Sequence, residues 1–287
     1  MRLFIMAMLV LPSTALAGWS LYEIFLPNGL TKLEMAQLGL GLMLFAWLCM
    51  AFWTGIIGFV LQLLNIDPLS LRKKQSKPDE ATQLTQRHAV VMPVYNEDTR
   101  RIMVGFEACV RELINTPQAD HFDFYMLSDT RDQIKVDAEL RAWQRMTKRL
   151  GSYASQVFYR RREKNLHRKV GNLKEFCERW GANYESMIVL DADSIMTGER
   201  MLDLARRIEQ NPDTALVQTI PMPVRQDTFF GRFVQFAAHL YSPMLATGLS
   251  FWQTDSANYW GHNAIIRVAP FMQHCGLPKL EGSAPFG

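Results

Sequence analysis

Asp191 and Asp193 flank Ala192 at the end of the run Ser186-Met-Ile-Val-Leu-Asp-Ala-Asp-Ser194. The apolar part of that run reads as a buried strand, and its carboxyl end is where an open α/β sheet presents ligands. Two carboxylates left unpaired there would cost on the order of several kcal/mol each. A hard divalent cation offsets that cost. Mg²⁺ or Mn²⁺ takes one or two carboxylates and fills its other positions with water and substrate phosphate oxygens, so the pair suits a nucleotide diphosphate. An Asx-capped turn is the competing reading of the same tripeptide.

Other segments must bring partners to that strand end. His88-Ala-Val-Val-Met-Pro-Val-Tyr-Asn-Glu97 is a strand running into a loop, and Phe122-Asp-Phe-Tyr-Met-Leu-Ser-Asp-Thr130 is a second strand that ends on a carboxylate, Asp129. Between them Ile102, Phe106, Val110 and Leu113 recur at helical spacing. Val136, Leu140, Trp143, Met146 and Leu150 predict the next helix, Val157 to Tyr159 a short strand, and Leu173, Phe176 and Trp180 a helix closed by Gly181. After the acidic pair come a helix on Leu202, Ala205 and Ile208 and a strand from Thr214 to Ile220. Alternating β and α elements predict an α/β fold with a mostly parallel sheet and helices on both faces. Asp129 and Asp191 are then expected as neighbours at one sheet edge, where a nucleotide would lie.

Together, Pro93-x-Tyr95-Asn96-Glu97, Asp129, Lys169-x-Gly171-Asn172, Asp191-x-Asp193 and Gly261-His-Asn-Ala-Ile-Ile-Arg267 resemble, in order and spacing, the inverting family 2 glycosyltransferases with a membrane-embedded synthase architecture. The likeness covers residues 88 to 287. The wording of Met92-Pro-Val-Tyr-Asn-Glu-Asp98, Ser128-Asp-Thr-Arg131, His167-Arg-Lys-Val-Gly-Asn-Leu173 and Leu190-Asp-Ala-Asp-Ser-Ile195 is similar to bacterial members that make the backbone of osmoregulated periplasmic glucans. The resemblance implies a GT-A-like, nucleotide-sugar-binding sheet preceded by two transmembrane helices. It implies metal-assisted, inverting transfer of glucose from UDP-glucose to a growing β-glucan acceptor.

The same resemblance assigns roles. Asp193, with Asp191, would carry Mg²⁺ or Mn²⁺ against the diphosphate. Lys169 would add a fixed positive charge, and Asp129 would accept from the uracil or ribose. Pro93 and Tyr95 would pack on the base while Glu97 holds the loop or a ribose hydroxyl. Gly171 would let the backbone approach the donor, and Asn172 would hydrogen-bond it. Gly261, His262 and Asn263 would shape the acceptor side; a glycine turn into the strand Ala264 to Arg267 accounts for the same residues.

In this family the general base lies in an acidic motif after the Gly-x-Asn segment, with an aromatic-basic acceptor motif beyond it. Glu281 is the only acid after Asp255, and its Gly- and Pro-rich setting reads as a loop. Residues 88 to 287 are therefore expected to be a transferase domain truncated at its carboxyl end and inactive alone. Two alternatives stay open: another processive polysaccharide synthase or lipid-linked glycosyltransferase, and a membrane sensor that binds nucleotide sugars without turnover.

The composition of the 287 residues, with a net charge of +3 and 21% charged side chains, carries no nucleic-acid signal. Arg160, Arg161, Arg162, Lys164, Arg168 and Lys169 do cluster, but without interleaved aromatics to stack on bases. They read either as a solvated loop or as the mouth of a pocket for an anionic donor. Cys49, Cys109, Cys177 and Cys275 are spread singly and are expected as reduced thiols in core or membrane positions. No histidine pair has zinc-ligand spacing, and His239 is expected to be packed or interfacial.

The first seventy residues read as a membrane region, with helices at about 3–22 and 35–64. No side chain from Met35 to Ile66 is charged, and a helix of that length exceeds the ~30 Å hydrocarbon core. Leu3 to Tyr22 is uncharged too. It fits either a first transmembrane helix, shortened or kinked near Pro12, or a signal peptide with Ala15-Leu-Ala17 as its cleavage site. Arg72, Lys73, Lys74 and Lys77 follow the second span, whereas the loop from Gly18 to Glu34 holds only Lys32 as a cation. That asymmetry places the catalytic domain in the cytoplasm of a bacterial inner-membrane, multi-pass protein. Residues 71–87 read as a polar linker. The aromatic-rich stretch Phe229 to Trp252 reads as a core helix or as an amphipathic helix at the bilayer interface.

Overall fold

The computed structural model describes residues 2–66, 83–254, 256 and 258–276. Most of the expected 71–87 linker, its basic cluster, and the Glu281 segment lie outside the described residues. In chain order the elements are α1 (Arg2–Phe25), α2 (Lys32–Leu63), β1 (His88–Val94), α3 (Thr99–Ile114), β2 (Phe122–Ser128), α4 (Gln133–Leu150) and β3 (Val157–Arg161). There follow α5 (Arg168–Trp180), β4 (Ser186–Val189), α6 (Gly198–Gln210), β5 (Leu216–Gln218), α7 (Phe229–Gln253), β6 (Ala264–Arg267) and α8 (Val268–His274).

The chain divides into two units: Met1–Ser76 with Ile220–Asn258, and Lys77–Thr219 with Tyr259–Gly287. The domain boundary drawn at residue 88 is therefore redrawn, because 220–258 clusters with the amino-terminal helices.

In the helical unit, α1 and α2 are long and apolar enough to cross a membrane. α1 runs continuously through Pro12 rather than ending there. α2 starts on a reciprocal cap: Thr31 Oγ1 accepts the Glu34 N–H at 3.3 Å while the Glu34 carboxylate accepts the Thr31 N–H at 2.8 Å. Trp53 Nε1 donates to Ser13 Oγ at 3.1 Å and ties the two helices together. α7 crosses α2 at two glycines. A Cβ on Gly58 would lie 1.9 Å from the Met244 carbonyl, so only a bare backbone permits the approach. The amino-terminal half of α7 exposes Phe229, Phe230, Phe233 and Phe236, which a core helix would bury, and His239 is exposed with them.

The second unit is built on a six-stranded sheet of order β3-β2-β1-β4-β6-β5. β3, β2, β1 and β4 are parallel; β6 runs antiparallel to both β4 and β5. Strand alternation sends Val90, Met92 and Val94 into a core with Phe106 of α3, Met146 of α4 and Leu202 of α6. Ala89 and Val91 point the other way, onto Leu173 and Phe176 of α5. Fully burying each large side chain of these layers contributes about 1.5–3 kcal/mol. Both faces being covered explains why every residue of β2 is buried. Because β1 stands between β2 and β4, Asp129 and Asp191 are one strand apart rather than neighbours. Cys109 and Cys177 are buried in these cores, whereas Cys275 is exposed, contrary to expectation.

Pro93 ends the β1–β4 ladder. Leu190 N–H donates to Val91 O at 2.9 Å, and the next donor on that side of β1 would be the nitrogen of residue 93, which in proline carries no hydrogen. β4 is thereby released from β1 just before Asp191.

Candidate functional site

Lys169 lies in the first turn of α5, and its ammonium pairs with the Asp191 carboxylate beyond β4. The same ammonium donates to the Gly261 carbonyl at 2.9 Å. His262 Nε2 stands 3.8 Å from the other Asp191 oxygen. Residues expected on the donor side and on the acceptor side are thus in one place. Asp193 is exposed and makes no hydrogen bond or ion pair among the described residues.

A hard cation needs a charged oxygen that no protein cation already holds, and Asp193 offers one beside Asp191. Among the described residues no three His, Cys, Asp or Glu side chains converge as an all-protein cage. The donor set fits Mg²⁺ or Mn²⁺ held in large part by water and substrate phosphate oxygens.

The chain reaches Lys169 through an unusual backbone. His167 (φ 57°) and Arg168 (φ 49°) are both left-handed, a region non-glycine residues rarely occupy in succession. Arg162 holds this corner by donating to Leu166 O at 3.2 Å and Arg168 O at 3.0 Å. Its guanidinium also grips Asp129 with two bonds of 2.7 and 2.6 Å. Asp129, only 4% exposed, is therefore already committed to a bidentate partner.

Two residues of this segment serve the fold. Asn172 is 1% exposed: its amide donates to Leu127 O at 2.9 Å and accepts from Arg160 at 2.6 Å, so it fastens α5 to the sheet instead of facing a donor. At Gly171 a Cβ would meet the Leu166 carbonyl at 2.0 Å. The tight entry into α5 is by itself sufficient to require the glycine.

The loop after β1 is pinned from both ends. Tyr95 is exposed, Pro93 is half-buried, and the Glu97 carboxylate accepts the Tyr95 N–H. Asn96, left-handed at φ 58°, donates its N–H to Thr130 Oγ1 at 3.1 Å and accepts the N–H groups of Arg131 and Asp132 at 3.1 and 3.3 Å. On the β6 side, Gly261 has φ 95° and Asn263 is buried. The Asn263 N–H donates to Val189 O at 2.7 Å, while its Oδ1 has no partner among the described residues. Tyr259 lies close enough to Asp191 that burial first, and then that negative charge, push its hydroxyl pKa up.

From the sequence, Asn96 had no role of its own within its motif, Arg162 stood only as part of the basic cluster, and Tyr259 was not singled out. An Asn between a strand and an Asp-capped helix was the available signal for Asn96, since Asn tolerates left-handed geometry. Nothing in the spacing distinguishes Arg162 from its basic neighbours.

A parallel sheet with a reversed β6 and an acidic pair past β4 is a GT-A-like arrangement. A solved structure that resembles it is a mannosyltransferase from Pyrobaculum calidifontis in complex with GDP-Man and Mn²⁺, at a TM-score of 0.53 and 14% identity, covering 79% of this chain and 56% of that one. Residues 89–275 match Glycosyl transferase family 2, and the chain belongs to that family. It is 41% identical over 278 residues to glucans biosynthesis glucosyltransferase H of Xanthomonas campestris pv. campestris, covering 96% of this chain and 42% of that protein. It is 39% identical to the protein of the same name from Cupriavidus pinatubonensis, covering 96% of this chain and 32% of that one. The chain thus spans less than half the length of these curated relatives.

Proposed function

We propose that this chain is the membrane-anchored, donor-binding part of an enzyme that transfers glucose from UDP-glucose to a growing β-glucan with inversion, in the synthesis of osmoregulated periplasmic glucans. The observation that carries this is the convergence of Lys169, Asp191, Gly261 and His262 beside the free carboxylate of Asp193. The names and identities of the relatives support it.

In this reading Asp193 and Asp191 hold Mg²⁺ or Mn²⁺, which when bound screens the charge of the leaving diphosphate. Lys169 exchanges part of its contact with Asp191 for a phosphate oxygen. Tyr95 and Pro93 offer a face to the base, with Glu97 fixing the loop. Asp129, gripped by Arg162, sets the floor beneath the uracil or ribose. Gly261, His262 and Asn263 border the acceptor. α1 and α2 anchor the chain in a bacterial inner membrane, and α7 lays its exposed phenylalanines at the bilayer interface, with the sheet unit in the cytoplasm.

Calorimetry on the detergent-solubilised chain with uridine, adenosine and guanosine diphosphates in Mg²⁺ tests this. Preference for the uridine nucleotide is expected; preference for either of the others overturns the donor assignment.

A further inference from the structure

Glu139 lies on α4 with none of its surface exposed, on the helix face that also buries Val136 and Met146. Among the described residues it forms no ion pair. Three hydroxyls donate to it instead: Ser128 Oγ at 2.7 Å and Tyr159 OH at 2.8 Å to one oxygen, Thr130 Oγ1 at 2.7 Å to the other. A buried carboxylate with only neutral partners is an expensive way to fill a core, because its desolvation is not offset by an opposite charge. Its neighbours show what it achieves.

All three hydroxyls donate to Glu139, so each hydroxyl proton is committed to it and each hydroxyl oxygen is left to accept. Ser128 Oγ accepts the Thr130 N–H at 3.2 Å, and Thr130 Oγ1 accepts the Asn96 N–H at 3.1 Å. Asn96 Oδ1 then gathers the N–H groups of Arg131 and Asp132. Glu139 therefore anchors a hydrogen-bond chain that runs through the end of β2 into the Tyr95–Glu97 loop after β1. Arg161, donating to Thr130 O at 3.1 Å, braces the same corner from β3.

We propose that Glu139 is a positioning residue, whose buried carboxylate holds the loops after β1 and β2 in the arrangement that receives the nucleotide end of the donor. The functional half of this statement rests on the donor-binding reading above. A neutral amide of the same shape cannot replace it. Glu139→Gln brings an NH₂ group that donates to a hydroxyl oxygen already accepting a backbone N–H, so that hydroxyl proton loses its acceptor and the oxygen, shared between two donors, holds the backbone amide less firmly.

Amide hydrogen exchange on the full chain in detergent reads this directly. In Glu139→Gln, exchange at Asn96, Thr130, Arg131 and Asp132 is expected to speed up roughly tenfold, while amides inside β1 and β2 keep their protection. Thr130→Val, which cuts the chain one link further on, should release Asn96 in the same way. Unchanged exchange at these four amides overturns the proposal. So does acceleration spread across the whole sheet, which would mark Glu139 as ordinary core. In parallel, uridine diphosphate with Mg²⁺ should bind Glu139→Gln roughly tenfold more weakly than wild type. If the exchange changes appear but wild type binds no uridine diphosphate, the loop chemistry stands and the donor reading fails. If wild type binds and the variant binds equally well, the positioning role fails.

Discussion

Lys169 and Asp191 are joined across the gap between the start of α5 and the end of β4, yet their side chains remain 40% and 35% exposed. An ion pair that open to solvent contributes at most about 1 kcal/mol to stability, after screening and side-chain entropy. The strained approach through His167 and Arg168 is therefore out of proportion to what the pair returns to the fold. A fixed cation beside a carboxylate that can be displaced by phosphate accounts for it better.

Lys169→Ala should accordingly separate folding from binding. Its melting temperature in detergent is expected to stay within a degree or two of wild type, since exposed pairs are worth so little. Affinity for uridine diphosphate should fall by about 1.5–3 kcal/mol, the value of a charge-assisted hydrogen bond. A large loss of stability with unchanged affinity would make the pair structural.

Asp193→Asn keeps size and removes charge. Partners one step removed from a metal are worth about 10–100-fold in metal affinity, so a direct ligand should cost at least as much. Titrating Mg²⁺ or Mn²⁺ into the chain with uridine diphosphate should show the metal dependence of wild type lost in the variant. Nucleotide binding that ignores both this substitution and chelation would remove the acidic pair from the site.

The alternation of apolar strands and periodic helices made the layered sheet legible from residue 88 to 220, because burial on both faces leaves continuous apolar runs. The reversal of β6 was not legible. Ala264 to Arg267 reads the same in either direction, and the long α7 insertion before it removes the usual constraint of a short crossover. At the site, spacing located the Lys169–Asn172 segment but could not say which side chains face inward. Gly171 and Asn172 turned out to serve the entry into α5, whereas Lys169 alone reaches the cleft. Glu139 did leave a trace, a carboxylate on the apolar stripe between Val136 and Met146.

Glu209 should make the sheet unit acid-sensitive. Burial alone would raise its pKa, but hydrogen bonds from His88, Thr85 and Gln86 outweigh that and hold it at about 2, against an ordinary 4.5. A depressed folded-state pKa contributes stability that is fully present above the unfolded value and is lost as pH falls through the folded one. Comparing wild type with Glu209→Gln from pH 7 downwards, the stability gap should begin to close near 4.5 and disappear towards about 2. A gap independent of pH would mean that the carboxylate's charge is not what secures residues 85–88.

Membrane orientation gives the last prediction. The stretch from Gly18 to Glu34 around the α1–α2 turn holds Lys32 as its one cation, whereas Arg72, Lys73, Lys74 and Lys77 follow α2, so the positive-inside rule predicts a periplasmic turn and a cytoplasmic sheet unit. Cys275 is exposed on the sheet unit, while Cys49, Cys109 and Cys177 are buried. A membrane-impermeant maleimide applied to intact spheroplasts should label Leu30→Cys and leave Cys275 untouched until the membrane is opened. Labelling of Cys275 in sealed spheroplasts, with Leu30→Cys protected, would invert the topology. It would also strand the donor site away from the compartment where nucleotide sugars are made.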